Sequence, residues 1–73
     1  MRYIVTVAPH GAYISEYEND TTKLINSGFT QELIPMLKEL NTTEIYVFKS
    51  SMSLGVAETI SNAGFEIRFM EEE

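Results

Sequence analysis

Apolar positions change their spacing along the chain, and each change marks the start of a new element. Residues 2 to 8 (Arg2-Tyr3-Ile4-Val5-Thr6-Val7-Ala8) are β-branched and aromatic, with apolar groups on both alternating faces. That pattern predicts a central strand covered on both sides. Pro9-His10-Gly11 then supplies turn chemistry, proline presetting φ and glycine free to take a positive φ, before a second strand from Ala12 to Glu18. Period-two alternation puts Tyr13, Ser15 and Tyr17 on one face and Ile14, Glu16 and Glu18 on the other. The aromatic face is expected to meet the core. Asn19-Asp20 turns the chain again, and Thr21-Thr22-Lys23-Leu24-Ile25 reads as a third antiparallel strand, with one short helical turn as the alternative.

Asn26-Ser27-Gly28 breaks the strand pattern, and the spacing becomes helical. Thr30 is placed to cap a helix running to Leu40, with Phe29 and Ile34 at the two positions of a hydrophobic staple. Leu33, Ile34, Leu37 and Leu40 share one face, and Pro35 weakens the start by removing a backbone donor. Glu44-Ile45-Tyr46-Val47-Phe48 is a near-continuous apolar run, as in a strand buried on both faces and parallel to a neighbour. Ser50, Ser51 or Ser53 can cap a second helix that buries Val56, Ala57, Ile60 and Ala63 and ends at Gly64. Phe65, Ile67 and Phe69 then alternate with Glu66 and Arg68 in a final strand with one solvated face.

The predicted order is βββαβαβ, an α+β domain with a small mixed sheet and two helices. Without the third strand the order becomes ββαβαβ, a four-stranded sandwich with the same helices. The longer order resembles a minimal ribonuclease H-like fold. That family implies a nuclease holding two metal ions on carboxylates of the first strand, first helix and fourth strand. Here Thr6 and Val7 stand where the aspartate belongs, the fourth strand ends in Phe48-Lys49-Ser50, and Glu32 alone remains near the helix start. A two-metal nuclease is therefore excluded.

A closer local resemblance is carried by His10-Gly11-Ala12-Tyr13-Ile14 and by the stretch from Val47 to Gly64. They resemble the His-containing turn, and the strand, small-residue loop, helix and closing Ala-Gly, of the small domain of nitrogenase cofactor-carrier and cofactor-assembly proteins. The resemblance covers about half the chain and implies His10 as a cofactor contact. This chain lacks the Phe-Gly-Arg that follows the family's histidine, and its loop holds Ser50-Ser51-Met52-Ser53 instead of glycines. Read alone, His10 is a turn residue whose imidazole lacks a nucleophile or a second metal ligand nearby in sequence. The segment Lys49-Ser50-Ser51-Met52-Ser53 lies between a strand end and a helix start, where open sheets bind small anions, although serines there also serve as caps.

Length and charge narrow the functional classes. With 73 residues the chain forms one domain, expected over residues 1–70, followed by the acidic tail Glu71-Glu72-Glu73. The absence of cysteine excludes disulfide scaffolds and thiolate metal centres. Eleven acidic against five basic residues give a net charge of −6, and the bases are scattered, which argues against direct binding of nucleic acid. No apolar run is long enough to span a bilayer and Met1-Arg2-Tyr3-Ile4 lacks a secretory layout, so a cytoplasmic protein is expected.

Glu16, Glu18 and Asp20 share one strand face, either a plain solvated face or an acidic row that can imitate phosphates toward a basic protein, with Ile14 on the same face an exposed apolar anchor if that side is uncovered. The expected function is a small acidic, non-catalytic protein that binds a protein partner through Ile14, Glu16, Glu18 and Asp20, as a regulator or inhibitor. No cofactor is required for that role. The alternative is a small-anion or metal-cofactor carrier using His10, Lys49, Ser50, Ser51 and Ser53. Self-association through a sheet edge, the third strand or the last, is also expected.

Overall fold

A computed structural model describes residues 2–48 and 53–70. They form a small α+β fold in which five strands make one mixed sheet and two α-helices pack against it. The strands are β1 (Arg2–Ala8), β2 (Gly11–Glu18), β3 (Thr21–Gly28), β4 (Glu44–Phe48) and β5 (Glu66–Met70), and the helices are α1 (Leu33–Lys38) and α2 (Leu54–Asn62). Across the sheet the order is β3-β2-β1-β4-β5. The pairs β1–β2 and β2–β3 are antiparallel, and β1–β4 and β4–β5 are parallel.

The first hairpin closes with Ala8 opposite Gly11, so Pro9-His10 alone forms its loop. Gly11 serves a different purpose from the one its sequence suggests. A Cβ there would lie 2.7 Å from the Gly28 carbonyl oxygen, so the bare backbone admits the end of β3 instead of supplying a positive φ. The second hairpin does use left-handed residues, Asn19 at φ 53 and Asp20 at φ 61, the arrangement whose twist suits a two-residue turn. Strand β3 runs on through Asn26-Ser27-Gly28, which the sequence marks as a break. Antiparallel pairing with Ala12–Ile14 supplies backbone partners that outweigh their poor strand propensity. The register shifts between Ile14 and Ser15, leaving Ile25 as the additional residue of a bulge.

The first helix is shorter than its apolar spacing predicts. Thr30–Glu32 forms a 3₁₀ turn, and the α-helix begins only at Leu33. Pro35 thereby falls in the first α-helical turn, where its missing N–H has no intrahelical partner to lose. The cap also differs: the Phe29 N–H donates to Glu32 Oε1 at 3.3 Å, and Phe29 itself is 66% exposed, so no staple with Ile34 shields it. At α2 the cap is Ser53, whose Oγ accepts the Val56 N–H at 3.4 Å. The helix closes as its glycine predicts. Gly64 takes φ 99, with its N–H on the Ser61 carbonyl and the Phe65 N–H on the Ile60 carbonyl, a Schellman arrangement.

Register assigns the faces of the sheet. Val5, Ile14 and Val47 share one face, joined by Ala12 and Ile45. These side chains form one buried cluster with Leu33, Met36 and Leu37 of α1 and Ile60 of α2, together with Phe65. Both helices therefore cover the same face. β1 is the central strand, but only one of its sides lies beneath helices. Among the described residues no helix is long and apolar enough to cross a membrane.

Candidate functional site

Among the described residues no helix lies over the opposite face of the sheet, and its side chains are mainly tyrosine, arginine, glutamate, serine and threonine. Tyr13, Ser15 and Tyr17 of β2 lie here, half-buried by their neighbours. This corrects the expectation that the aromatic face meets the core. The longer aliphatic Ile14 fills the space under the helices, while the phenols of β2 occupy the side where hydroxyl groups can reach water.

Beside them, β4 contributes Tyr46 and β5 contributes Arg68, directly opposite each other. The Arg2 guanidinium lies 5.0 Å from the Tyr46 ring centroid, a cation–π distance. The Tyr46 hydroxyl donates to Glu44 Oε1 at 2.9 Å. Arg68 Nε donates to Glu44 Oε2 at 2.7 Å, and Arg68 Nη2 donates to Glu66 Oε1 at 3.0 Å. The hydrogen bond from Arg68, followed by that from Tyr46, holds the Glu44 carboxyl below its ordinary pKa, and the same contact raises that of Arg68. The centre of the face is apolar. Ile4, opposite Tyr46 in register, is 4% exposed although no helix lies over it.

Ile14 is fully buried in the core, which removes it as an exposed anchor. Alternation placed Ile14, Glu16 and Glu18 on one face correctly, but that face is the one α1 covers. Glu16 is half-buried and lies opposite Lys23 in the β2–β3 register; Glu18 is exposed near the strand end. Asp20 is not on a strand at all. It sits in the left-handed turn and accepts the Tyr17 hydroxyl at 2.8 Å, so the three acids do not form a continuous row.

Of the residues of the small-ligand alternative, His10 and Ser53 are described. His10 lines an open pocket of about 300 Å³ with Tyr13, Ser27, Phe29 and Glu32, over a floor of Gly11 and Gly28. Its ring meets Tyr13 edge-to-face at 5.9 Å and 70°. Ser53 caps α2, and Lys49, Ser50 and Ser51 lie outside the described residues. The partners of His10 that sequence reasoning missed are Phe29 and Glu32, distant along the chain and delivered by the β2–β3 pairing. Glu32 was visible only as an acid at a helix start. Among the described residues no group of three or more His, Cys, Asp or Glu side chains could hold a metal ion.

Comparison of the chain with protein-family models, with curated proteins and with solved structures returns no match.

Proposed function

We propose that this protein is a non-catalytic protein-binding domain, with a ribonuclease H-like strand order, whose contact surface is the uncovered face of its sheet. The observation that carries the reading is the make-up of that face on an otherwise acidic chain. Tyr13, Tyr17, Tyr46 and Phe48 lie on it together with Arg2 and Arg68, residue types that dominate binding energy at protein interfaces. Arg2 and Arg68 are matched in number by Glu44 and Glu66, so the strand charges on this face cancel while the chain carries −6. A partner surface of low net charge with apolar and hydrogen-bonding groups fits it. A polyanion does not, because the chain is acidic and Arg68 already serves Glu44 and Glu66.

The test is affinity capture with purified wild-type protein and two variants. Tyr46→Ser with Phe48→Ser alters the uncovered face, and Glu18→Lys alters the other side. A stoichiometric protein lost with the first variant and kept with the second supports the reading. Retention by the face variant overturns it, as does filter-retained RNA in place of protein.

The His10 pocket favours a second reading, a small-ligand site, because three rings and the Glu32 carboxyl converge on it. A thermal-shift panel of small organic anions, cations and metal ions checks it. A midpoint rise abolished by His10→Ala supports the site, and no rise across the panel removes it.

A further inference from the structure

The outer strand β5 and the residue before it carry a pattern that matches itself. Phe65-Glu66-Ile67-Arg68-Phe69 reads aromatic, acid, aliphatic, base, aromatic. Turned antiparallel about Ile67, the segment sets Phe65 opposite Phe69, Glu66 opposite Arg68, and Ile67 opposite its own copy. Directly opposite residues of an antiparallel pair lie on the same face of the sheet. The aromatic pairs therefore form on the helix-covered side and the ion pairs on the uncovered side, matching the sides these residues already occupy.

Three features of the single chain point the same way. Among the described residues β5 has a strand on one side only, and its pairing with β4 runs without a register shift from Glu44–Glu66 to Phe48–Met70. The other edge, β3, is blunted by its bulge, a common device against edge pairing. Secondly, the β4–β5 register sets Glu44 directly opposite Glu66, and the single Arg68 serves both. A second β5 brings another Arg68 to the free side of Glu66. Thirdly, Phe69 is 55% exposed on β5, a large apolar surface that the pairing brings against the second copy.

We propose that β5 pairs antiparallel with β5 of a second copy about a two-fold axis at Ile67, joining two five-stranded sheets into one continuous sheet. The contact holds two acids and two bases and is neutral, so it is a place where chains of net charge −6 can meet without local repulsion. It uses the sheet edge and, of the uncovered face, engages only Glu66 and Arg68, leaving Tyr13, Tyr17 and Tyr46 free, so it stands apart from the partner-binding reading.

Sedimentation velocity of the full chain over roughly 10 μM to 1 mM tests the proposal, with amide exchange of β5 followed over the same range. The expected result is a monomer–dimer equilibrium in which the β5 amides gain protection as concentration rises. Phe69→Lys alters an exposed side chain and should weaken the dimer at least about tenfold, because the two-fold axis removes two aromatic contacts at once. Arg68→Glu should weaken it similarly, and Glu66→Arg combined with Arg68→Glu should restore it. Circular dichroism of each variant separates lost association from lost folding. A monomer throughout the range overturns the proposal, as does a dimer indifferent to Phe69→Lys or a double exchange, folded by circular dichroism, that fails to restore association.

Discussion

The two faces of the sheet are ordered by different forces. On the covered face Val5, Ile14, Ile45 and Val47 meet Leu37 and Ile60 with zero exposure, and among the described residues no buried residue is polar or charged. Order there comes from apolar burial and close packing. On the uncovered face Ile4 is the buried aliphatic centre, and around it runs a network of charged and phenolic groups: Arg2 on Tyr46, Tyr46 on Glu44, Arg68 on Glu44 and Glu66. Such a network orients side chains while adding little stability, since exposed ion pairs are screened by water and salt. The chain thus stabilises itself on one side and holds a pre-arranged surface on the other.

The sharpest test of that contrast places the same truncation on each side. Ile45→Ala, under the helices, should cost about 4 kcal/mol in urea denaturation, the upper part of the range for buried aliphatic truncations. Ile4→Ala should cost about 2 kcal/mol, because side chains on an uncovered face can settle into the space. Equal costs would mean that the uncovered face is packed as tightly as the core.

Gly11→Ala tests the strand junction beneath the His10 pocket. The added Cβ meets backbone at 2.7 Å, so β3 must move, and a loss of about 1–3 kcal/mol is expected. An unchanged melting temperature would show that β3 is not held against β2 at Gly28.

Smaller effects belong to the uncovered face. Tyr46→Phe removes the hydrogen bond to Glu44 but keeps the ring beneath Arg2, and should shift stability by no more than about 1 kcal/mol. A larger loss would give the network a structural role.

The last prediction concerns acid. Glu44 has a folded pKa below its unfolded one, so its contribution is present above the usual glutamate value of about 4.3 and is lost as pH falls through the lowered value. Carboxyl NMR titration should show Glu44 among the last glutamates to protonate, and Arg68→Gln should return it toward the ordinary value. A Glu44 titration unmoved by Arg68→Gln would remove the ion pair as the cause.

Sequence pattern reached some of these features and missed others for physical reasons. The Schellman close at Gly64 and the turn at Asn19-Asp20 were legible because they depend on backbone conformations that few residues adopt. The length of the first helix was not, because Pro35 and the 3₁₀ turn at Thr30–Glu32 compete over the same backbone bonds. Nor was the His10 pocket, whose Glu32 reaches it only through sheet pairing. The acidic row looked continuous in sequence, but its third member sits in a turn and bonds to Tyr17 from the other face.

Local chemistry by itself determined which residues share a side of β2, since alternation is a property of the extended backbone, whereas in β3 the bulge at Ile25 interrupts it. It also determined that these 73 residues are acidic and carry no thiol. Which side the helices cover was decided only by tertiary structure. Tyr13, Ser15 and Tyr17 and the set beginning with Ile14 are equally regular along β2, and nothing within that strand ranks them. The choice is made where α1 and α2 bring Leu37 and Ile60 against Ile14, because burying those aliphatic groups together removes more apolar surface from water than burying phenols that must keep a polar partner.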